Sequence, residues 1–158
     1  MMVRCGKRPT RRGAAMVEAA IILPVFLTLC LGMIDLGIAV FQNHAVAEAS
    51  RQTARIASVH GSMAPSGWDG GPWGPTAYSA AGNAGDAYAT TIQNSGAMAG
   101  LNPANVTIAI TWIDGGNKAQ NGNRVQTTIS TTWTPLITYV FGSKTVTLTA
   151  TSIMPIAH

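Results

Sequence analysis

The chain has 158 residues and a mass of 16.4 kDa, enough for one ordinary domain, or a small domain plus a segment of another kind, and too little for a multidomain enzyme. Only 10% of the residues are charged, against roughly 25% in soluble domains, so a fully solvated surface is hard to build from them. The net charge of +4 comes from a short tail holding Arg4, Lys7, Arg8, Arg11 and Arg12; from residue 14 onward five bases face six acids, a net of −1, which argues against a nucleic-acid-binding surface on the folded part.

Behind the basic tail, residues 19–41 read AAIILPVFLTLCLGMIDLGIAVF, interrupted by one charge, Asp35. As a helix this run is roughly 34 Å long, enough to cross a hydrocarbon core of about 30 Å. The tail over residues 1–13 holds five bases and no acid, so the positive-inside rule predicts a cytoplasmic N-terminus and an exported remainder. Cleavage as an ordinary secretory signal would fall at Ala45-Val46-Ala47, but the apolar run exceeds the usual 7 to 15 residues and that site lies well beyond its end. An uncut signal anchor is a second fate. The third is cleavage on the cytoplasmic side, before the apolar run.

The third fate has a signature. Arg11-Arg12-Gly13 is followed by Ala14-Ala15-Met16-Val17, then Glu18 at the fifth position after the glycine, then the apolar run. This is the type IV prepilin pattern, and a carboxylate at the edge of some twenty apolar residues is costly unless it has a partner or a recognition role. Residues 12–57 resemble the N-terminal module of TadE-like proteins, minor pseudopilins of tight-adherence (Flp) pilus systems. The resemblance is carried by RRGAAMVE, Leu23-Pro24, the block from Gly32 to Gly37 and the closing run from Ala49 to Arg55. Ala19 stands where many members have an aromatic residue, and Asp35 where Glu is common.

The resemblance implies leader cleavage between Gly13 and Ala14 by a prepilin peptidase, and a role for Glu18 in recognition and helix packing against a neighbouring subunit. The implied partners are other pilins or pseudopilins, the pilus assembly machinery and the cytoplasmic membrane, with no nucleic acid. The implied function is that of a membrane-anchored minor pseudopilin in assembly of a tight-adherence pilus for surface attachment. A single-pass protein of the bacterial cytoplasmic membrane is expected, with its C-terminal domain periplasmic or extracellular. The alternative is a signal-anchored structural or adhesive domain unrelated to pili. Glu18 and Asp35 are seventeen residues apart, which returns to within about 20° of one helical face and aims both acids at one neighbour; Asp35 reaching water at the outer interface is the simpler alternative. Pro24 inside the helix predicts a kink or a local loss of backbone bonding.

The helical period continues past the apolar run, with Val46, Ala49, Thr53, Ile56 and Ala57 on one side, until Gly61 and Pro65 stop it near Val59. Residues 61–83 form a Gly/Pro/Trp-rich loop whose tryptophans, Trp68 and Trp73, either cover a small core or offer a contact surface. Residues 84–98 suggest a short helix capped by Asp86 and ended by Gly100 and Asn102-Pro103. The period then changes to two. Residues 106–113, 125–133 and 145–152 alternate as three antiparallel strands, the first pair joined through Asp114 to Asn123, and residues 135–142 form a longer connection. One face of this sheet is a lawn of threonines.

The expected organisation is a basic leader over 1–13, a transmembrane and extended helix over 14–60, the loop over 61–83 and an exported α+β domain over 84–158. The fold class is therefore α+β, a long N-terminal transmembrane helix leading to a short helix and a three-stranded antiparallel sheet, pilin-like in shape. No catalytic constellation is expected: His44, His60 and His158 are not at ligand spacing with one another or with Cys5 and Cys30, and Asp69, Asp86 and Asp114 sit in turns or at a cap. No enzyme, cofactor or metal is predicted.

Overall fold

The computed structural model describes residues 12–66, 71–114, 122–136, 138, 142 and 144–157. The basic tail before Arg12, Trp68 and Asp69, most of the 114–123 hairpin tip, much of the 135–142 connection and His158 lie outside the described residues. The first element is one helix, α1, over Arg12–Val59. It continues through Pro24, which lacks the N–H that would close the turn before it; one turn later the Thr28 hydroxyl donates to the Pro24 carbonyl at 2.8 Å.

The α+β architecture is as expected, with one more strand. β1 (Tyr78–Ala81) forms the edge of a four-stranded antiparallel sheet with β2 (Val106–Trp112), β3 (Arg124–Trp133) and β4 (Val146–Pro155), in the order β1-β2-β3-β4. β1 lies inside the segment read above as loop. Its four residues, Tyr-Ser-Ala-Ala, carry too little alternation to announce a strand, and pairing with β2 (Tyr78 opposite Ile110, Ala81 opposite Thr107) makes them one.

The second helix is also shorter than its composition suggests. α2 covers Ala87–Asn94, with the Asp86 carboxylate accepting from Ala89 N at 2.8 Å as the N-cap. It stops well before Gly100 because Gly96, at φ +75°, takes the left-handed conformation that ends a helix and that a side chain would oppose. A 3-10 turn over Pro103–Asn105, capped by Asn102, then leads into β2.

Alternation sets the two faces of the sheet. Val106, Ile108, Ile110, Val125, Thr127 and Ile129 point inward and are almost fully buried. The opposite face carries Thr107, Thr111, Thr132, Thr147, Thr149 and Thr151, all exposed, as the threonine pattern predicts. The outer half of α1 covers the inward face along β3 and β4, presenting Val46, Ala49, Ser50, Thr53, Ala54 and Ala57. Small residues at this period let the helix approach the sheet closely enough for the buried Thr127 hydroxyl to donate to the Ser50 carbonyl at 2.8 Å. Trp73, fully buried, stacks between His60 (4.5 Å between ring centroids) and Tyr88 (4.7 Å), and Tyr88 stacks in turn on Tyr78 (4.5 Å). Of the two readings of the tryptophan-rich loop, Trp73 follows the one in which the ring covers the core.

Three contacts orient the helix. Asp35 reaches Leu136 just beyond the end of β3, Ser50 meets Thr127 within β3, and the Ser58 carbonyl accepts from Ala157 N at 2.9 Å just beyond the end of β4. Because β3 and β4 are antiparallel, α1 runs along the strands, opposite to β3 and in the direction of β4.

Candidate functional site

The residues that the sequence singles out all lie on α1, and the exported domain divides that helix into two stretches. From Asp35 outward one face is buried beneath the sheet; before it the helix is bare. Met16 is 76% exposed and Ile21, Val25 and Met33 each 66%, a density of apolar side chains that water does not accommodate on a soluble helix. Among the described residues this is one helix long and apolar enough to cross a membrane. The bare stretch, residues 13–34, is roughly 33 Å long, close to the hydrocarbon thickness.

Gly13 and Ala14 lie in the first turn of α1 and are exposed. A Cβ built on Gly13 meets nothing within 4 Å among the described residues, so packing against them does not require glycine there. One turn further on, Glu18 is exposed and forms a shallow, otherwise apolar groove of about 400 Å³ with Ala15, Ala19, Ile22, Leu23 and Phe26. Its carboxylate has no hydrogen-bond or ion-pair partner among the described residues. A carboxylate beside an apolar groove, without a partner among the described residues, is positioned to take a cationic or N–H-donating group.

Asp35 is only 4% exposed, and its Oδ1 accepts a hydrogen bond from the backbone N–H of Leu136 at 2.9 Å. The contact joins residues 101 positions apart, and it turns Asp35 inward to its own chain. Glu18 and Asp35 are about 25 Å apart along the helix axis and do not share a site. The sequence offered no sign of Leu136 as a partner, since a backbone N–H carries no residue-type signature.

The remaining acids do local work. Asp86 caps α2 and also accepts from the Tyr78 hydroxyl at 2.9 and 2.8 Å, while burial, reinforced by that bond, pushes the Tyr78 phenol well above its ordinary range. Asp114 holds the base of the β2–β3 hairpin. Its Oδ1 accepts from Arg124 Nη2 at 2.8 Å, and its Oδ2 accepts from Arg124 Nε at 3.2 Å and from the Arg124 backbone at 2.6 Å. These bonds hold the Asp114 carboxyl below its usual range. Among the described residues no group of three or more His, Cys, Asp or Glu side chains is placed to hold a metal ion.

Compared with known proteins, the chain has no match among curated proteins and none among solved structures. Residues 13–55, from the exposed Gly13 through the bare apolar stretch to the start of the domain-packing stretch, match the family model described as TadE-like protein.

Proposed function

We propose that this chain is a non-enzymatic pseudopilin of a tight-adherence pilus system, anchored in the cytoplasmic membrane by residues 13–34 with its α+β domain on the outer side. On this reading a prepilin peptidase cuts between Gly13 and Ala14. Glu18, then fifth in the mature chain, pairs with a neighbouring subunit in the assembling pilus. The observation that carries the reading is the arrangement of the first turns of α1: an exposed Gly13, four residues, and an exposed Glu18, without a partner among the described residues, at the mouth of an apolar groove, within the segment that matches the TadE-like family model. The exposure of this carboxylate supports an intermolecular role, since an acid at the end of an apolar span is costly to keep without a partner.

The test is the N-terminal sequence and intact mass of the membrane-extracted protein, from cells with and without the prepilin peptidase. The expected result is a chain beginning at Ala14 only when the peptidase is present, and a retained leader in Gly13→Leu. Among the described residues nothing lies within 4 Å of the Gly13 Cβ position, so a loss of cleavage in this variant is not explained by crowding of the folded chain. A chain beginning at Met1 under both conditions overturns the proposal in favour of an uncut signal anchor.

A further inference from the structure

A cleft of about 380 Å³ opens at the end of the domain nearest the bare helix. Four separate segments build it: Gln42 on α1, Gly100 to Asn102 after α2, Asn105 at the end of the 3-10 turn, and Thr131 to Thr134 where β3 runs out. Gln42 stands seven residues beyond Asp35, which places the cleft about 10 Å further along the helix from the point where the domain first covers it.

The hydrogen-bonding capacity of this cleft is largely unspent. Thr131 is 4% exposed, and its hydroxyl forms no hydrogen bond with any described residue. The amides of Gln42 and Asn105 and the hydroxyl of Thr134 likewise have no partner among the described residues. The Thr131 hydroxyl is not sealed in the core, where the described side-chain atoms buried without a partner belong to Thr53, Trp73 and Trp112; it opens onto the cleft, where water or a ligand can take it.

The lining also restricts the chemistry of a ligand. Among the described residues it contains no carboxylate to hold a cation and no Lys, Arg or His to hold an anion, and its polar side chains disfavour a purely apolar guest. Amides and hydroxyls supply donors and acceptors side by side, the requirement of a neutral group that itself presents both. Trp133, half-buried at the rim, adds a flat apolar surface for the C–H face of a ring. The volume is within the range of small-ligand pockets and suits one or two hexose rings rather than a long polymer.

We propose that this cleft is a binding site for a neutral saccharide, with Thr131 and Asn105 hydrogen-bonding its hydroxyls and Trp133 stacking on a sugar ring. The proposal does not depend on the pilus reading. The same chemistry is offered by a free oligosaccharide and by the sugar headgroup of a glycolipid, and the position of the cleft beside the bare helix is compatible with both.

The experiment uses the full-length chain in phosphatidylcholine nanodiscs. Maltose, lactose and chitobiose are titrated with saturation-transfer NMR, inorganic phosphate serves as an anionic control, and a second set of discs carries diglucosyldiacylglycerol. The expected result is binding of at least one neutral sugar, with no effect of phosphate. Asn105→Ala and Thr131→Val should each raise the Kd by about tenfold, the magnitude expected for one or two lost hydrogen bonds. Asn105 is exposed and its side chain bonds to no described residue, so its variant keeps the test valid even if Thr131→Val misfolds. Binding of a free disaccharide identifies a soluble glycan as the ligand class, whereas binding confined to the glycolipid discs identifies a headgroup. Absence of binding in every format, binding unchanged in Asn105→Ala, or equal competition by phosphate overturns the proposal.

Discussion

Asp114 and Arg124 illustrate how much one residue pair can carry where a sheet has few charges. The pair clamps the open end of the β2–β3 hairpin, with three hydrogen bonds meeting at one carboxylate. Because both side chains contact solvent, the pair is expected to contribute little to global stability and more to the local order of the hairpin end. The sign of its pH dependence follows from the lowered Asp114 pKa. The contribution is complete above the unfolded-state value of about 4 and disappears as the pH falls through the lower folded-state value. Asp114→Asn should therefore accelerate amide exchange at Arg124 and Ile113 near pH 7, and the difference from the native chain should shrink once the native carboxylate is protonated. An unchanged exchange rate at neutral pH would remove the clamp from this account.

Among the elements, α2 is stabilised least by its own sequence. Eight residues are too few for an isolated helix, so its cap and its packing decide whether it forms. Asp86 serves both, accepting from Ala89 N and from the Tyr78 hydroxyl of the edge strand β1. Asp86→Ala is expected to cost about 1–3 kcal/mol in chemical denaturation, since it removes the cap and leaves a half-buried phenol without its acceptor. It should also lower the pH at which Tyr78 ionises, seen as phenolate absorbance, because the bond and the negative charge of Asp86 both hold that phenol protonated. A Tyr78 titration unmoved in the variant would leave burial as the whole cause of the shift.

At the scale of the molecule, the direction of α1 along the strands matters most. If the bare stretch lies in a membrane, the strands stand close to the bilayer normal, the end of β3 faces the membrane and Ala157 lies at the far end. The membrane boundary then falls near Asp35, earlier than the apolar run through Phe41 indicates, because residues beyond Asp35 are committed to the domain on one face. Cysteine labelling checks this in intact cells. Native Cys30, within the bare stretch, should resist a membrane-impermeant maleimide, while Asn43→Cys, on an exposed position beyond Asp35, should react. Equal reactivity at both positions would place the whole helix in water.

The parts of this molecule that depend on composition and period are legible in its one-dimensional pattern. A long apolar run with a polar, amphipathic continuation reads as one helix ending near Val59, and period-two alternation from Val106, Val125 and Val146 reads as strands, because burial selects side chains at the pitch of each element. The spacing from Gly13 to Glu18 is likewise a local property. Partners remote in the chain are not. That Tyr78 to Ala81 becomes a strand, that Gly96 rather than Gly100 ends α2, that Asp35 faces Leu136, and that Gln42, Asn105 and Thr131 converge on one cleft all depend on contacts between distant segments. Backbone hydrogen bonds and unsatisfied hydroxyls have no sequence signature, so they become visible only when the chain is packed.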